Sequence, residues 1–161
     1  MFLELFEDNL SKEDCKHLTP RVGVRAILKH NDDFILVYNK NWDLYTLPGG
    51  GVHKNETLID ALKREVFEET GYKVQNIKEG LNLTEYFYDS IWEHHFYYCE
   101  TVGQNAPLTL TDEEIASGLE VVVKSYIDVL DIFVNHESPR ENAENIYQRE
   151  FLGFMHSLEV K

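Results

Sequence analysis

Residues 50–72 read GGVHKNETLIDALKREVFEETGY, and this stretch carries most of the fold prediction. Thr57 and Asp60 form a capping-box-like start, in which a hydroxyl caps the first turn and a carboxylate follows three residues later. Apolar residues then recur at helical spacing, and Gly71 follows Thr70 as a C-terminal cap. The sequence therefore predicts one amphipathic helix over residues 57–70.

Three carboxylates crowd the last turns of this helix. At about 100° per residue, Glu65, Glu68 and Glu69 fall within an arc of roughly 100°. Like charges at these spacings repel, and acids near a helix C-terminus also oppose its dipole. A cation that prefers oxygen ligands, Mg²⁺ or Mn²⁺, would relieve the repulsion. The alternative is a solvated helix face in an acidic chain.

The same stretch resembles the Nudix box of the MutT-like hydrolases. That pattern is Gly, five residues, Glu, seven residues, Arg-Glu, an aliphatic, any residue, Glu-Glu, any residue and Gly, with an aliphatic or aromatic residue last. Tyr72 is aromatic where an aliphatic residue is usual. The fixed places are filled at the correct spacing by Gly50, Glu56, Arg64, Glu65, Val66, Glu68, Glu69 and Gly71.

The resemblance implies a role for each acidic residue of the box. Glu65, Glu68 and Glu69 would be metal ligands or the base that takes a proton from water, and either Glu65 or Glu69 could be that base. Arg64, partnered by Glu56, would hold Glu65 in place, because its planar guanidinium can bind two carboxylates. We therefore expect Glu65, Glu69 and Arg64 to be the catalytic residues.

Other candidate site residues lie outside the box. The carbonyl of Gly49 is expected to be a further metal ligand, as the resemblance implies. Glu113 and Glu114 are candidates for one more acidic ligand, with a helix start that carries acids near its positive end as the alternative. Arg25 could meet phosphates. Trp42 and Tyr88 could stack on a base, with core packing as the alternative for both aromatic residues.

Composition restricts the partners. The 161 residues carry a formal net charge of -14, which disfavours binding to nucleic-acid polymers and anionic membranes but not to a small substrate held through a metal. Two cysteines are too few for a disulfide framework. The first residues are acidic where a signal peptide needs positive charge, and no stretch approaches the ~20 apolar residues of a membrane span. A cytoplasmic location is expected.

The order of patterns predicts an α+β fold, a Nudix-type α/β/α sandwich with a mixed sheet between helices. Residues 1–161 form a single domain, in which 1–18 could be a short helix or an arm. The other predicted elements are a hairpin over 21–38, a loop over 39–49, a long hairpin from 72–88 and 91–102, a strand over 119–123, and helices over 126–134 and 138–158. The buried stripe of the last helix is expected to be Ile146, Phe151, Met155 and Leu158.

The resemblance implies an enzyme that cleaves the diphosphate bond of a nucleoside diphosphate derivative with metal-activated water. The alternative function is a Nudix-like sensor that binds a nucleotide without cleaving it. An intact box argues against the sensor, because such domains usually lose box carboxylates. A homodimer is common among proteins of this kind and is a state to be tested.

Overall fold

The structure is a computed structural model that describes residues 1–159. Within that range seven strands form one sheet: β1 (Phe2–Phe6), β2 (Arg21–His30), β3 (Asp33–Asn39), β4 (Leu44–Thr46), β5 (Lys73–Tyr86), β6 (Ile91–Val102) and β7 (Leu119–Lys124). The helices are α1 (Lys12–Cys15), α2 (Leu58–Thr70), α3 (Asp112–Ser117), α4 (Tyr126–Asn135) and α5 (Ala143–Leu158). None of the helices in this range has the length and apolar character needed to cross a membrane.

The sheet is mixed and has the order β1-β5-β6-β2-β3-β4, with β7 also paired to β3. β1 runs parallel to β5, and β2 runs parallel to β6. The remaining neighbours are antiparallel, including the long β5–β6 hairpin. The predicted hairpin over 21–38 exists, but β2 and β3 pair only where Leu28 to His30 meet Asp33 to Ile35.

Alternating burial along the strands separates two hydrophobic layers. Ala26 of β2 packs in a core cluster with Leu62 of α2, while its neighbour Ile27 packs in a second cluster with Phe133 of α4 and Phe154 of α5. Successive side chains of a strand point to opposite faces, so α2 covers one face of the sheet and α4 and α5 cover the other. The predicted α/β/α sandwich is confirmed.

Two predictions about the ends of the chain need correction. Within 1–18, Lys12–Cys15 form a short helix, which was one of the two alternatives, but Phe2 to Phe6 form an unpredicted strand that pairs with Asn82 to Tyr86 along the edge of the sheet. The last helix begins at Ala143 rather than near Ser138. Its fully buried side chains are Glu150, Phe154 and Ser157, whereas the predicted stripe of Ile146, Phe151, Met155 and Leu158 is only partly buried. The inward face instead includes Glu150, whose carboxylate accepts the Leu47 N–H and two hydrogen bonds from Arg149.

Gly153 allows α5 to pack closely on the sheet. A Cβ at this position would lie 2.0 Å from the ring of Phe96, which is fully buried. We expect Gly153→Ala to lower the free energy of unfolding by about 1–3 kcal/mol, despite alanine's better helix propensity, because the core has no room for it. Chemical denaturation would measure this. Gly51→Ala, with nothing within 4 Å of the added Cβ, is the control. Equal stability of both variants would contradict close packing at Gly153.

Candidate active site

The loop before α2 is built into the sheet. After β4 the chain leaves β3 and joins β2, where Ala26 N–H donates to the carbonyl of Pro48 (2.8 Å) and Val24 N–H donates to that of Gly50 (2.9 Å). Gly49 has a φ of 143°, and a Cβ there would lie 2.1 Å from the Val24 carbonyl oxygen. Only glycine can fill this position without strain. The loop is therefore held against the C-terminal half of α2.

Local signals define α2 as the sequence predicted. The hydroxyl of Thr57 accepts from Asp60 N–H at 3.1 Å, and Gly71 ends the helix in the left-handed conformation with its N–H bonded to the carbonyl of Phe67. The caps set the bounds of the helix, and two of the glutamates in its last turns, Glu65 and Glu69, lie against Gly50 and Gly49 of the loop.

Arg64 connects this loop to the helix. Its Nε and Nη2 donate to the two carboxylate oxygens of Glu56 at 2.8 and 2.9 Å, and its Nη1 donates to Glu65 at 2.7 Å. Nη2 also donates to the carbonyl of Gly51 at 3.0 Å. The Arg64 guanidinium and the backbone N–H of His53 lower the pKa of Glu56 to about 2. Arg64 thus bridges two carboxylates, Glu56 and Glu65. Glu56 stays ionised at physiological pH and keeps the guanidinium in place beside Glu65.

Glu69 is the most deeply placed of the three glutamates. It is only 8% exposed, and its carboxylate accepts the N–H of Gly49 at 2.8 Å. Burial raises the pKa of Glu69 to about 8, against the opposing effects of the Gly49 amide and Arg25. Burial likewise raises the pKa of Glu65 above its ordinary value, against the effect of Arg64. Two desolvated carboxyl groups therefore lie on the same side of α2.

These residues fit a divalent cation by the chemistry of their donors. Glu65 lies so close to the loop that a Cβ on Gly50 would be 2.5 Å from its Oε2, and Glu69 is bonded to the neighbouring Gly49. Buried carboxylates of like charge need a cation to ionise together, and hard cations prefer such oxygens. Glu68 is bonded to Arg64 at 3.3 Å. Within residues 1–159, no three Asp, Glu, His or Cys side chains are already arranged to hold a metal ion.

A cavity of about 300 Å³ opens beside Arg25, on the α5 side of the sheet. Trp92 lines it and stacks on His94, with ring centroids 6.1 Å apart, and the guanidinium of Arg21 lies 5.2 Å from the centre of the Trp92 ring. The other lining residues are Asn39, Thr46, Glu85, Phe87, Arg140, Asn142, Asn145, Ile146 and Arg149. An aromatic ring, amides and cations together suit a polar, anionic or ring-bearing ligand.

The structure separates the predicted substrate residues. Arg25 lines the cavity and donates to the carbonyl of Gly49. Trp42 is 40% exposed and lies under the guanidinium of Arg140, at the border of the cavity rather than in its wall. Tyr88 is 62% exposed, and its hydroxyl donates to the carbonyl of Asp8 on the N-terminal segment. Tyr88 is not among the residues that line this cavity, and its contact with substrate stays a prediction.

Glu114 caps α3. Its carboxylate accepts the N–H of Thr111 at 2.6 Å and the Thr111 hydroxyl at 2.9 Å, which is the helix-start alternative. It remains near enough to Glu69 to raise the pKa of that carboxyl slightly by repulsion. Sequence reasoning missed four polar residues that form a buried network between α5 and the β5–β6 hairpin: Glu85, His94, Arg149 and Glu150.

His94 gives the cavity wall a pH dependence. Burial lowers the pKa of His94 from 6.5 to about 4, although its hydrogen bond to Glu85 opposes the shift. Between pH 6.5 and about 4, His94 is protonated in the unfolded chain but neutral in the folded chain. The stabilising contribution of neutral His94 is therefore fully present above pH 6.5 and is lost as the pH falls towards 4. The free energy of unfolding should fall by up to about 3 kcal/mol from this group.

Denaturation of His94→Gln across pH 4 to 7 would measure that contribution. The glutamine amide can still donate to Glu85 but does not titrate, so the variant should have a shallower pH dependence than the wild type. His53→Gln, at an exposed loop position, is the control and should keep the wild-type slope. Identical slopes for all three proteins would show that His94 is protonated equally in both states.

Comparisons with known proteins agree with this geometry. A sequence model of the NUDIX domain matches residues 19–147. The chain is 30% identical over 130 residues to the low-salt glycan biosynthesis protein Agl8 of Haloferax volcanii, covering 70% of this chain and 83% of that protein. It is 37% identical over 78 residues to the 8-oxo-dGTP diphosphatase of Buchnera aphidicola subsp. Schizaphis graminum, covering 47% of this chain and 59% of that one.

The fold is also similar to solved structures. A MutT NUDIX hydrolase from Burkholderia pseudomallei superimposes with a TM-score of 0.58 at 19% identity, over 82% of this chain and 98% of that chain. At this identity the similarity concerns the fold alone. The mixed sheet between two helical layers is therefore an architecture that Nudix structures share.

Proposed function

Because this chain belongs to the Nudix family, whose members here include hydrolases of phosphoric anhydrides, we propose that it hydrolyses the diphosphate bond of a nucleoside diphosphate linked to another moiety. One observation supports this most strongly. Glu69 accepts the Gly49 amide while Glu65 lies against Gly50, so two carboxylates contact adjacent residues of one loop. Such a donor set suits a divalent cation and a phosphate ligand.

In this proposal Glu65, Glu69 and the carbonyl of Gly49 would hold the cation, with Glu68 at the exposed side. When bound, Mg²⁺ or Mn²⁺ would neutralise phosphate oxygens and make an attacking water more acidic. Arg64 would keep Glu65 oriented, because its guanidinium is itself held by Glu56 and by the carbonyl of Gly51.

The proposed hydrolysis transfers one proton and exchanges one P–O bond for another. Glu65 or Glu69 takes a proton from water as the water oxygen forms a bond to one phosphorus. The bridging P–O bond opposite breaks, and the leaving phosphate carries the electron pair away. Glu69 is buried and Glu65 is largely buried, and both contact the loop that would hold the cation, so either carboxylate could reach a water bound there.

The cavity beside Arg25 is the proposed place for one end of the substrate. Its volume of about 300 Å³ lies at the lower end of small-molecule sites, which favours one nucleoside-sized group over two. Arg25 lies between this cavity and Gly49, where it could neutralise a phosphate. The relative named 8-oxo-dGTP diphosphatase supports a nucleotide as the substrate class.

A substrate panel tests the proposal. Purified protein would be incubated with nucleoside triphosphates, including 8-oxo-dGTP, and with ADP-ribose, UDP-sugars and dinucleoside polyphosphates, in Mg²⁺ or Mn²⁺. The inorganic phosphate that an added phosphatase releases from the products would be measured colorimetrically. We expect metal-dependent turnover of at least one compound and none in EDTA. Tight binding of a nucleotide with no turnover across the panel would instead support the silent sensor.

A further inference from the structure

Glu150 is the most completely buried charged side chain among the described residues. It lies on α5, on the face of the sheet opposite α2, and is 0% exposed. Its Oε2 accepts the N–H of Leu47 at 2.9 Å, and its Oε1 accepts two hydrogen bonds from Arg149 at 2.9 and 2.6 Å. A carboxylate from the C-terminal helix thus binds the backbone just two residues before Gly49.

A second connection runs from Glu150 to Gly49 through Arg25. The Nε of Arg25 lies 3.8 Å from Glu150 Oε1, and its Nη1 donates to the carbonyl of Gly49. Within the described part of the chain, the buried Nε has no hydrogen-bond partner, so the ion pair with Glu150 is its principal contact. Glu150 therefore contacts the Leu47–Gly49 segment in two ways, directly at the Leu47 N–H and through the Arg25 guanidinium at the Gly49 carbonyl.

The cost of burying these charges requires a reason. A buried ion pair is often no more stabilising than apolar residues of the same volume, so packing alone gives little reason for one. The N–H of Gly49 is bonded to Glu69, and the carbonyls of Pro48 and Gly50 on either side are bonded to β2. Arg25 adds a bond to the Gly49 carbonyl itself. A carbonyl oxygen can accept two partners, so this bond leaves one direction for a cation.

We propose that Glu150 is a positioning residue, which fixes the Leu47–Gly49 segment through the Leu47 amide and Arg25 and so orients the Gly49 carbonyl towards the divalent cation. The inference rests on the proposed function for the cation, but it assigns a new role to α5. It also explains why the face of α5 centred on Glu150 is turned inwards in place of the more apolar stripe. Arg149 and Glu85 extend the same network, with 3.5 Å between the guanidinium Nη1 and the Glu85 carboxylate.

The test measures Mn²⁺ binding in the nucleotide-free protein, by the loss of the free-ion electron paramagnetic resonance signal. Glu150→Gln keeps an oxygen that can accept the Leu47 N–H but removes the charge that faces Arg25. We expect its dissociation constant for Mn²⁺ to rise about tenfold, as for other partners of metal ligands. Glu144→Gln, an exposed position in the first turn of the same helix, should bind as the wild type does.

A double-mutant cycle separates positioning from a general loss of structure. If Glu150 acts through Arg25, then Glu150→Gln should weaken Mn²⁺ binding by only about twofold in an Arg25→Gln background. Effects that simply multiply in the double variant would overturn the proposal, as would wild-type affinity in Glu150→Gln. If Glu150→Gln does not fold, Glu150→Asp replaces it: the shorter side chain keeps the charge, and about threefold weaker binding is expected, with no change again overturning the proposal.

The wild-type protein distinguishes the two levels of inference. If it binds no Mn²⁺, the proposed function fails and the role of Glu150 fails with it. If it binds Mn²⁺ and all Glu150 variants bind equally well, only the positioning role is overturned, and the proposed hydrolase remains.

Discussion

Replacing Glu69 with glutamine is expected to lower turnover by about 10³-fold while leaving the melting temperature of the metal-free protein at or above that of the wild type. The loss follows because an amide can neither take a proton from water nor supply a full charge to a divalent cation. Stability is kept because the amide oxygen can still accept the Gly49 N–H, which is 2.8 Å from the native carboxylate. Burial raises the pKa of Glu69 to about 8, so glutamine also removes a group that costs free energy when it ionises.

The measurement pairs turnover with thermal unfolding in EDTA. Glu144→Gln is the matched control, because Glu144 is an exposed glutamate in the first turn of α5 and carries none of the proposed functions. It should leave both quantities unchanged. Turnover of Glu69→Gln within tenfold of the wild type would remove Glu69 from the catalytic residues. A large fall in melting temperature would show instead that its carboxylate is required for folding.

Helix α2 could be predicted because all its determinants lie within fifteen residues. The Thr57 cap, the apolar spacing and Gly71 act over one or a few turns, and the observed helix has the predicted bounds to within one residue. The contact of Arg64 with Glu56, eight residues away, was predicted by the family resemblance and appears as two hydrogen bonds. Local chemistry and one motif therefore locate the box correctly.

Elements that depend on distant partners could not be predicted in the same way. β1 is short and lies at an edge, and its strand form depends on β5 about eighty residues later. Glu150 looks like a surface residue of α5 until β2 brings Arg25 beneath it. Tyr88 was expected near the substrate because of its distance along the chain from the box, and no local pattern indicated that its hydroxyl donates to the carbonyl of Asp8. Burial of polar groups is a tertiary property, which periodicity does not report.

Exchanging Gly50 for alanine should lower turnover by about 10²-fold, whereas the same exchange at Gly51 should leave it near the wild-type value. A Cβ on Gly50 would lie 2.5 Å from Oε2 and 2.6 Å from the carboxyl carbon of Glu65. The clash is with the far end of a flexible side chain, so the fold can accommodate it by swinging Glu65 away at a small cost in stability. That movement breaks the 2.7 Å bond from Arg64 and misplaces a proposed ligand, and shifts of about 1 Å at a reacting centre can cost such factors.

The Gly51→Ala control isolates this effect, because the two positions are adjacent and no atom lies within 4 Å of a Cβ at Gly51. Turnover, the Mn²⁺ dissociation constant and the melting temperature would be measured for both variants. A fall in turnover and Mn²⁺ affinity in Gly50→Ala, with similar melting temperatures in the two variants, would tie activity to the location of a single carboxylate. If Gly50→Ala bound Mn²⁺ and turned over substrate as well as Gly51→Ala, Glu65 could not be a ligand in the orientation described, and the cation would have to be held by Glu68 and Glu69 without it.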